Sequence, residues 1–124
     1  MTKKLRIGIA SLADYRARTL AIARGEYRAA KDEPKVWFQS MESFAKVLSD
    51  KNRALLATIA ETRPRSVSEL AEKTGRKPSN LSRTLRTMER YGLVQFEEGE
   101  GRARIPRVPY SEITLDVQLA GRTT

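Results

Sequence analysis

Residues 66–91 read SVSELAEKTGRKPSNLSRTLRTMERY, and this stretch admits few structures. Leu81, Leu85 and Met88 recur at i, i+4 and i+7, one stripe of a helix with a period of about 3.6 residues. Ser79, Arg83, Arg86 and Arg90 recur at i, i+4, i+7 and i+11, almost opposite that stripe. A helix anchored by one face and carrying guanidinium groups on the other is suited to an anionic lattice.

The residues before it make a second, shorter helical pattern. Ser68 is a good N-cap, and Leu70, Ala71 and Thr74 supply an inner face that ends at Gly75. The turn Gly75-Arg76-Lys77-Pro78 then delivers Ser79 as the expected cap of the arginine-bearing helix, which should stop at Gly92. Two short helices joined by a glycine-containing turn have the shape of a helix-turn-helix DNA reader.

Upstream, Leu5, Ile7 and Ile9 alternate as a weak strand, and Ser11 can cap a helix from Leu12 to about Arg24. That helix would carry Leu12, Tyr15, Thr19 and Ile22 along one side. Gly25 can end it, or Ala29, Ala30 and Lys31 can extend it by a turn, and Asp32, Glu33 and Pro34 read as a linker. Lys35 to Gln39 (KVWFQ) is short and β-prone, so Trp37 and Phe38 point to opposite faces. Core packing is expected of at least one ring; the other is a candidate for a subunit or partner interface.

Ser40 and Glu42 suit a helix start, although Ser43 does not complete a capping box. Met41, Phe44, Ala45 and Leu48 share one face, and Ser49-Asp50 restarts a helix through Glu61 with Leu55, Leu56 and Ile59 inward. Past Gly92, Leu93, Val94 and Phe96 begin a strand, Glu98-Gly99-Glu100-Gly101-Arg102 is a hairpin turn, and Ala103 to Val108 returns as an edge strand. Ile113, Leu115, Val117 and Leu119 alternate as a half-buried strand. Helices followed by a glycine-tipped hairpin give the expected fold class: mainly α with a small β-sheet (α+β), a winged helix-turn-helix with an N-terminal strand and helix extension. The expected domains are 1–34, a basic arm for dimerisation or partner binding, 35–120, the winged helix, and 121–124, a frayed tail.

The chain of 124 residues has a formal charge of +9, and the excess sits in two blocks. Residues 1–31 hold eight Lys/Arg against two acids, and residues 63–90 hold eight against three. The second block coincides with the two-helix pattern, which favours a nucleic-acid partner over a merely solvated surface. Cysteine and histidine are absent, so disulfides, zinc–thiolate sites, thiol nucleophiles and histidine bases are excluded. The remaining acids are scattered. No enzyme activity, no cofactor and no metal site are expected. An RNA-binding winged helix ranks below a DNA reader, because stacked aromatics on a basic surface are missing. No apolar run reaches signal-peptide or membrane-spanning length, so a soluble, cytoplasmic protein is expected.

The stretch from Ser66 to Val94 resembles the MarR-like winged helix-turn-helix transcription regulators. The shared pattern is SxxELAxxTG…SxxSRxLxxLExxGLV, with Met88 standing for the last leucine of the helix. More narrowly, RIGIASLADYRARTLAIARGE, EPKVWFQSMESFAKVLSDKNRALL and the winged helix resemble antitoxins of the TumA kind, small prokaryotic DNA-binding proteins encoded beside a toxin gene. The resemblance implies a repressor of its own operon, and a toxin–antitoxin system in which the chain also neutralises a cognate toxin by direct binding.

Arginine matches the acceptors of guanine and asparagine those of adenine, so Asn80, Ser82, Arg83, Arg86 and Thr87 are the expected base readers. Arg90, Ser79, Arg65, Arg76 and Lys77 are expected at phosphates, with Arg86 and Arg90 alternatively paired to Glu89 or Glu97. Arg102 and Arg104 flank the wing tip and are candidates to enter a minor groove or touch the backbone, although Glu97, Glu98 and Glu100 would repel phosphate if the wing lay flat on DNA. The N-terminal cations Arg16, Arg18, Arg24 and Arg28 have three open readings: a second DNA arm, a dock for an acidic partner, or a solvated face. A homodimer is expected, because two half-sites give such readers their specificity.

Overall fold

The computed structural model describes residues 3–28, 33–101, 103–117 and 119. The element order is β1 (Lys4–Ile9), α1 (Leu12–Ala23), β2 (Val36–Phe38), α2 (Met41–Val47), α3 (Asp50–Thr62), α4 (Val67–Thr74), α5 (Pro78–Arg90), β3 (Gln95–Glu98), β4 (Arg104–Arg107) and β5 (Glu112–Asp116). This is the expected α+β class, a winged helix with a strand and helix added. Expectations on Arg102, Ala29, Ala30, Lys31, Asp32, Gln118 and the tail 121–124 lie outside the described residues.

The chain divides into two compact units, and not at the expected boundary of 34 and 35. One comprises residues Met1–Lys3 and Val47–Ser111, the other Lys4–Lys46 and Glu112–Thr124. The strands account for the difference. β1, β2 and β5 form one all-parallel sheet in the order β2-β1-β5, so β2 and β5 join the N-terminal segment. Alternation along 113–119 marks a strand but cannot name its partner, and the strand ends at Asp116, leaving Val117 and Leu119 exposed.

In the sheet unit, Leu5, Ile7 and Phe38 are buried. Phe38 meets Phe44 edge-to-face at 5.5 Å, while Trp37 lies over Gly8 and 6.5 Å from Tyr15 of α1. The two rings therefore serve opposite faces. Ser40 and Ser43 cap α2 reciprocally: Ser43 N–H donates to Ser40 Oγ at 3.1 Å and Ser40 N–H to Ser43 Oγ at 3.3 Å. A serine thus takes the place of the capping-box glutamate. The expected inner face of α2 is only partly covered, with Met41 and Ala45 exposed and Phe44 half-buried. Nor does α1 bury its stripe: none of its twelve residues is buried.

In the winged-helix unit, Leu55, Leu56 and Ile59 of α3, Leu70 and Ala71 of α4, and Leu81, Leu85 and Met88 of α5 are buried, with Leu48, Leu93 and Val94. Leu93 and Val94 precede β3 rather than open it, and β3 pairs antiparallel with β4, Phe96 opposite Pro106.

Candidate nucleic-acid interface

Helix α4 starts two residues earlier than its best-looking cap suggests. Ser66, not Ser68, is the N-cap: its Oγ accepts from Glu69 N–H at 3.0 Å, and Ser68 is exposed. Glu69 Oε2 accepts in return from Arg65 N–H at 3.4 Å, which fixes the loop entering the helix.

Helix α5 also differs at its start. Lys77 is the N-cap and makes no side-chain cap bond, with Pro78 as the first helical residue, so Ser79 is an exposed first-turn residue and not the expected cap. Proline suits that position because its ring presets φ and the missing N–H has no helical partner there. The first turn contains no acid, so the positive end of α5 is left without a side-chain counter-charge. At the other end Gly92, at φ 78°, closes a Schellman motif: Gly92 N–H reaches Glu89 C=O at 3.0 Å, and Leu93 N–H reaches Met88 C=O at 2.9 Å. This turn drops Leu93 into the core and sends the chain into the wing.

Between these ends α5 splits by face. Leu81, Leu85 and Met88 are fully buried, while Ser79, Asn80, Ser82, Arg83, Arg86 and Arg90 are exposed and Thr87 is half-buried. Each residue turns the helix by about 100°. On that geometry Ser79, Arg83, Arg86 and Arg90 centre the outer face. Asn80 and Thr84 fall on one flank, and Ser82 and Glu89 on the other. Thr87 Oγ1 donates to Arg83 C=O at 3.2 Å, so its hydroxyl proton is already used.

The two acids expected to answer Arg86 or Arg90 are committed elsewhere. Glu89 pairs with Arg104 at 3.3 Å and Glu97 with Arg107 at 3.8 Å, so neither pairs with Arg86 or Arg90, contrary to the alternative drawn from the sequence. Arg65, Lys77, Arg83, Arg86 and Arg90 have no ionic partner among the described residues. Arg104 also lies 4.1 Å over the Phe96 ring, which makes it a strut between wing and helix. Arg107 was not singled out in the sequence. Its guanidinium donates to Pro64 C=O at 2.8 Å and ties β4 to the loop before α4.

Arg76 is held too. Its guanidinium donates to Lys51 C=O at 3.0 Å and to Asn52 Oδ1 at 3.2 Å, stitching the α4–α5 turn to the first turn of α3. Beside it lies an open groove of about 540 Å³, lined among others by Lys51, Asn52, Lys77, Asn80 and Thr84. Lys51, like Arg107, is a cation that sequence reasoning missed, since only the tertiary fold brings α3 beside α5.

In the sheet unit, Arg18 is paired with Glu33 at 2.6 Å and stacks 5.1 Å from the Trp37 ring and 5.9 Å from Tyr27. Arg16, Arg24 and Arg28 are exposed. Among the described residues no helix is long and apolar enough to cross a membrane, and no group of three or more carboxylates is positioned to hold a metal.

Residues 47–115 match the model of a family described as HVO_A0114, a span that begins with the winged-helix unit. Comparison with curated proteins finds no match. Among solved structures, a crystal structure described as the predicted DNA-binding transcriptional regulator from E. coli is similar. Its TM-score is 0.48 at 19% identity, over 82% of this chain and 86% of that one.

Proposed function

The chain belongs to the HVO_A0114 family through the match over residues 47–115, and we propose from its own geometry that the winged-helix unit is a sequence-specific reader of double-stranded DNA that regulates transcription, repressing its own operon. One observation carries the reading. Helix α5 buries Leu81, Leu85 and Met88 completely while Arg83, Arg86 and Arg90 stand exposed without ionic partners among the described residues. Three adjacent like charges repel one another, and a phosphate-lined major groove relieves that repulsion.

In this reading Arg83 and Arg86 reach base edges, with Asn80, Ser82 and Thr87 at the margins of the contact. Arg65, Lys77, Ser79 and Arg90 meet phosphates, Ser79 through the uncapped amides at the start of α5. Arg104 supports the wing through Glu89 and Phe96. Protection of a discrete, symmetric site on the DNA upstream of the chain's own gene is the expected footprint. Equal affinity for that DNA and for a scrambled duplex would refute sequence-specific repression.

A protein-binding role beside the DNA-binding one, as in an antitoxin or a homodimer, is supported by a different observation. Helix α1 exposes Leu12 at 45% and Leu20 at 53%, with Arg16 and Arg24 exposed beside them. Light scattering of the purified chain reads self-association, and co-purification with the product of a neighbouring gene reads a toxin partner. A monomer that also fails to retain that product would remove this second role.

A further inference from the structure

We infer that the groove between the first turn of α3 and the first turn of α5 seats a phosphodiester of the bound duplex, held by Lys51 and Lys77 and oriented by the carboxamide of Asn80. The inference rests on the DNA-binding reading and adds a wall to it. That wall is built from α3, a helix outside the helix-turn-helix.

The groove, about 540 Å³, is large enough for a phosphate and its flanking sugar atoms. Its walls are fixed before any ligand arrives. Arg76 binds the carbonyl of Lys51 and the side-chain oxygen of Asn52, and Asn52 Nδ2 in turn donates to Val47 C=O at 3.0 Å. The charge of Arg76 therefore lies in the groove lining even though its hydrogen bonds are spent on the protein. Lys51 and Lys77 add two exposed ammonium groups without ionic partners among the described residues. The acid beside Lys51, Asp50, pairs with Arg53 at 2.6 Å. Three cations around one concavity suit an anion with several acceptor oxygens.

Asn80 follows from the same geometry. Three residues before Arg83, it lies roughly 60° round α5 towards the groove, and it lines that groove together with Thr84. A carboxamide there donates to a phosphate oxygen beside Lys51 and Lys77, and reads no base. Asn80 is thus a positioning residue for the duplex, and sequence discrimination rests on Arg83 and Arg86.

The test uses the full chain with a duplex from its own upstream region and a scrambled duplex of equal length, titrated across salt. Lys51→Ala should weaken both duplexes alike, by roughly fivefold near 0.15 M salt, and lower the magnitude of the salt slope by about 0.9, the increment of one phosphate. Lys51→Arg should restore the slope, and Lys46→Ala, an equal loss of charge on exposed α2, should leave it unchanged. Asn80→Ala should weaken both duplexes by the same factor. An unchanged slope in Lys51→Ala, or an Asn80→Ala loss confined to the upstream duplex, would overturn the inference while leaving the DNA reading intact. A parent chain that binds neither duplex would overturn both.

Discussion

Arg104 of β4 donates to Glu89 Oε2 at 3.3 Å and so joins the return strand of the wing to the last turn of α5. The side chains are 60% and 40% exposed, so the ion pair alone contributes below about 1 kcal/mol. The contact with Phe96 adds roughly 0.5–1 kcal/mol. Arg104→Ala should therefore lower unfolding free energy in urea by about 1 kcal/mol. Its charge is already answered by Glu89, so the salt slope for duplex binding should not change. A slope reduced by about one would make Arg104 a phosphate contact instead.

The two serines at the start of α4 give a sharper contrast. Ser66→Ala removes the acceptor for Glu69 N–H and should cost about 0.5–2 kcal/mol, read from the urea midpoint. Ser68→Ala leaves every cap bond in place and should stay within roughly 0.5 kcal/mol of the parent. Reversed magnitudes would mean that the helix starts at Glu69 in solution.

These serines also mark the limit of what is legible in the chain. The face of α5 can be read without coordinates because a local repeat dictates it: a leucine three or four residues from the next has nowhere else to point. Ser66 and Ser68 offer the same hydroxyl two residues apart, and only the packing of Leu70 and Ala71 decides which one caps. Ser79 is outranked in the same way by Pro78, whose ring fits the first helical position. Lys51 beside Asn80, Arg107 on Pro64 and β5 beside β1 are long-range pairings, and no local period encodes a partner that many residues away.

Gly8 permits the close approach of an aromatic ring. A Cβ built there would stand 2.6 Å from Cε3 of Trp37, a distance no packed core tolerates. Gly8→Ala must push the indole off β1, at a cost of about 1–3 kcal/mol. Trp37 is the chain's single tryptophan, so its emission should shift to the red as the ring gains water. Replacing the indole as well, in Gly8→Ala/Trp37→Leu, should recover part of the stability, because the clash is shared by the pair. Unchanged emission and midpoint in Gly8→Ala would show that the ring does not rest there.

Arg83 and Arg65 separate reading from holding. Arg83 sits at the centre of the exposed face of α5, whereas Arg65 lies in the loop before α4, where Glu69 fixes its backbone. A guanidinium in the major groove pairs with guanine through two parallel bonds, and its loss costs roughly 1–3 kcal/mol of discrimination. A guanidinium on phosphate carries no base information, so its loss weakens all duplexes together. Arg83→Ala should therefore narrow the gap in affinity between the upstream duplex and a scrambled one by roughly 1–3 kcal/mol, leaving the share that Arg86 reads. Arg65→Ala should lower both equally and reduce the salt slope by about one. Competition titrations with single-base variants of the footprint locate the position that Arg83 reads, since Arg83→Ala should become indifferent at that base pair and at no other. Discrimination left intact in Arg83→Ala would move base reading off the centre of α5, because no other described arginine shares its exposure, its place in the N-terminal half of the helix and its lack of an ionic partner.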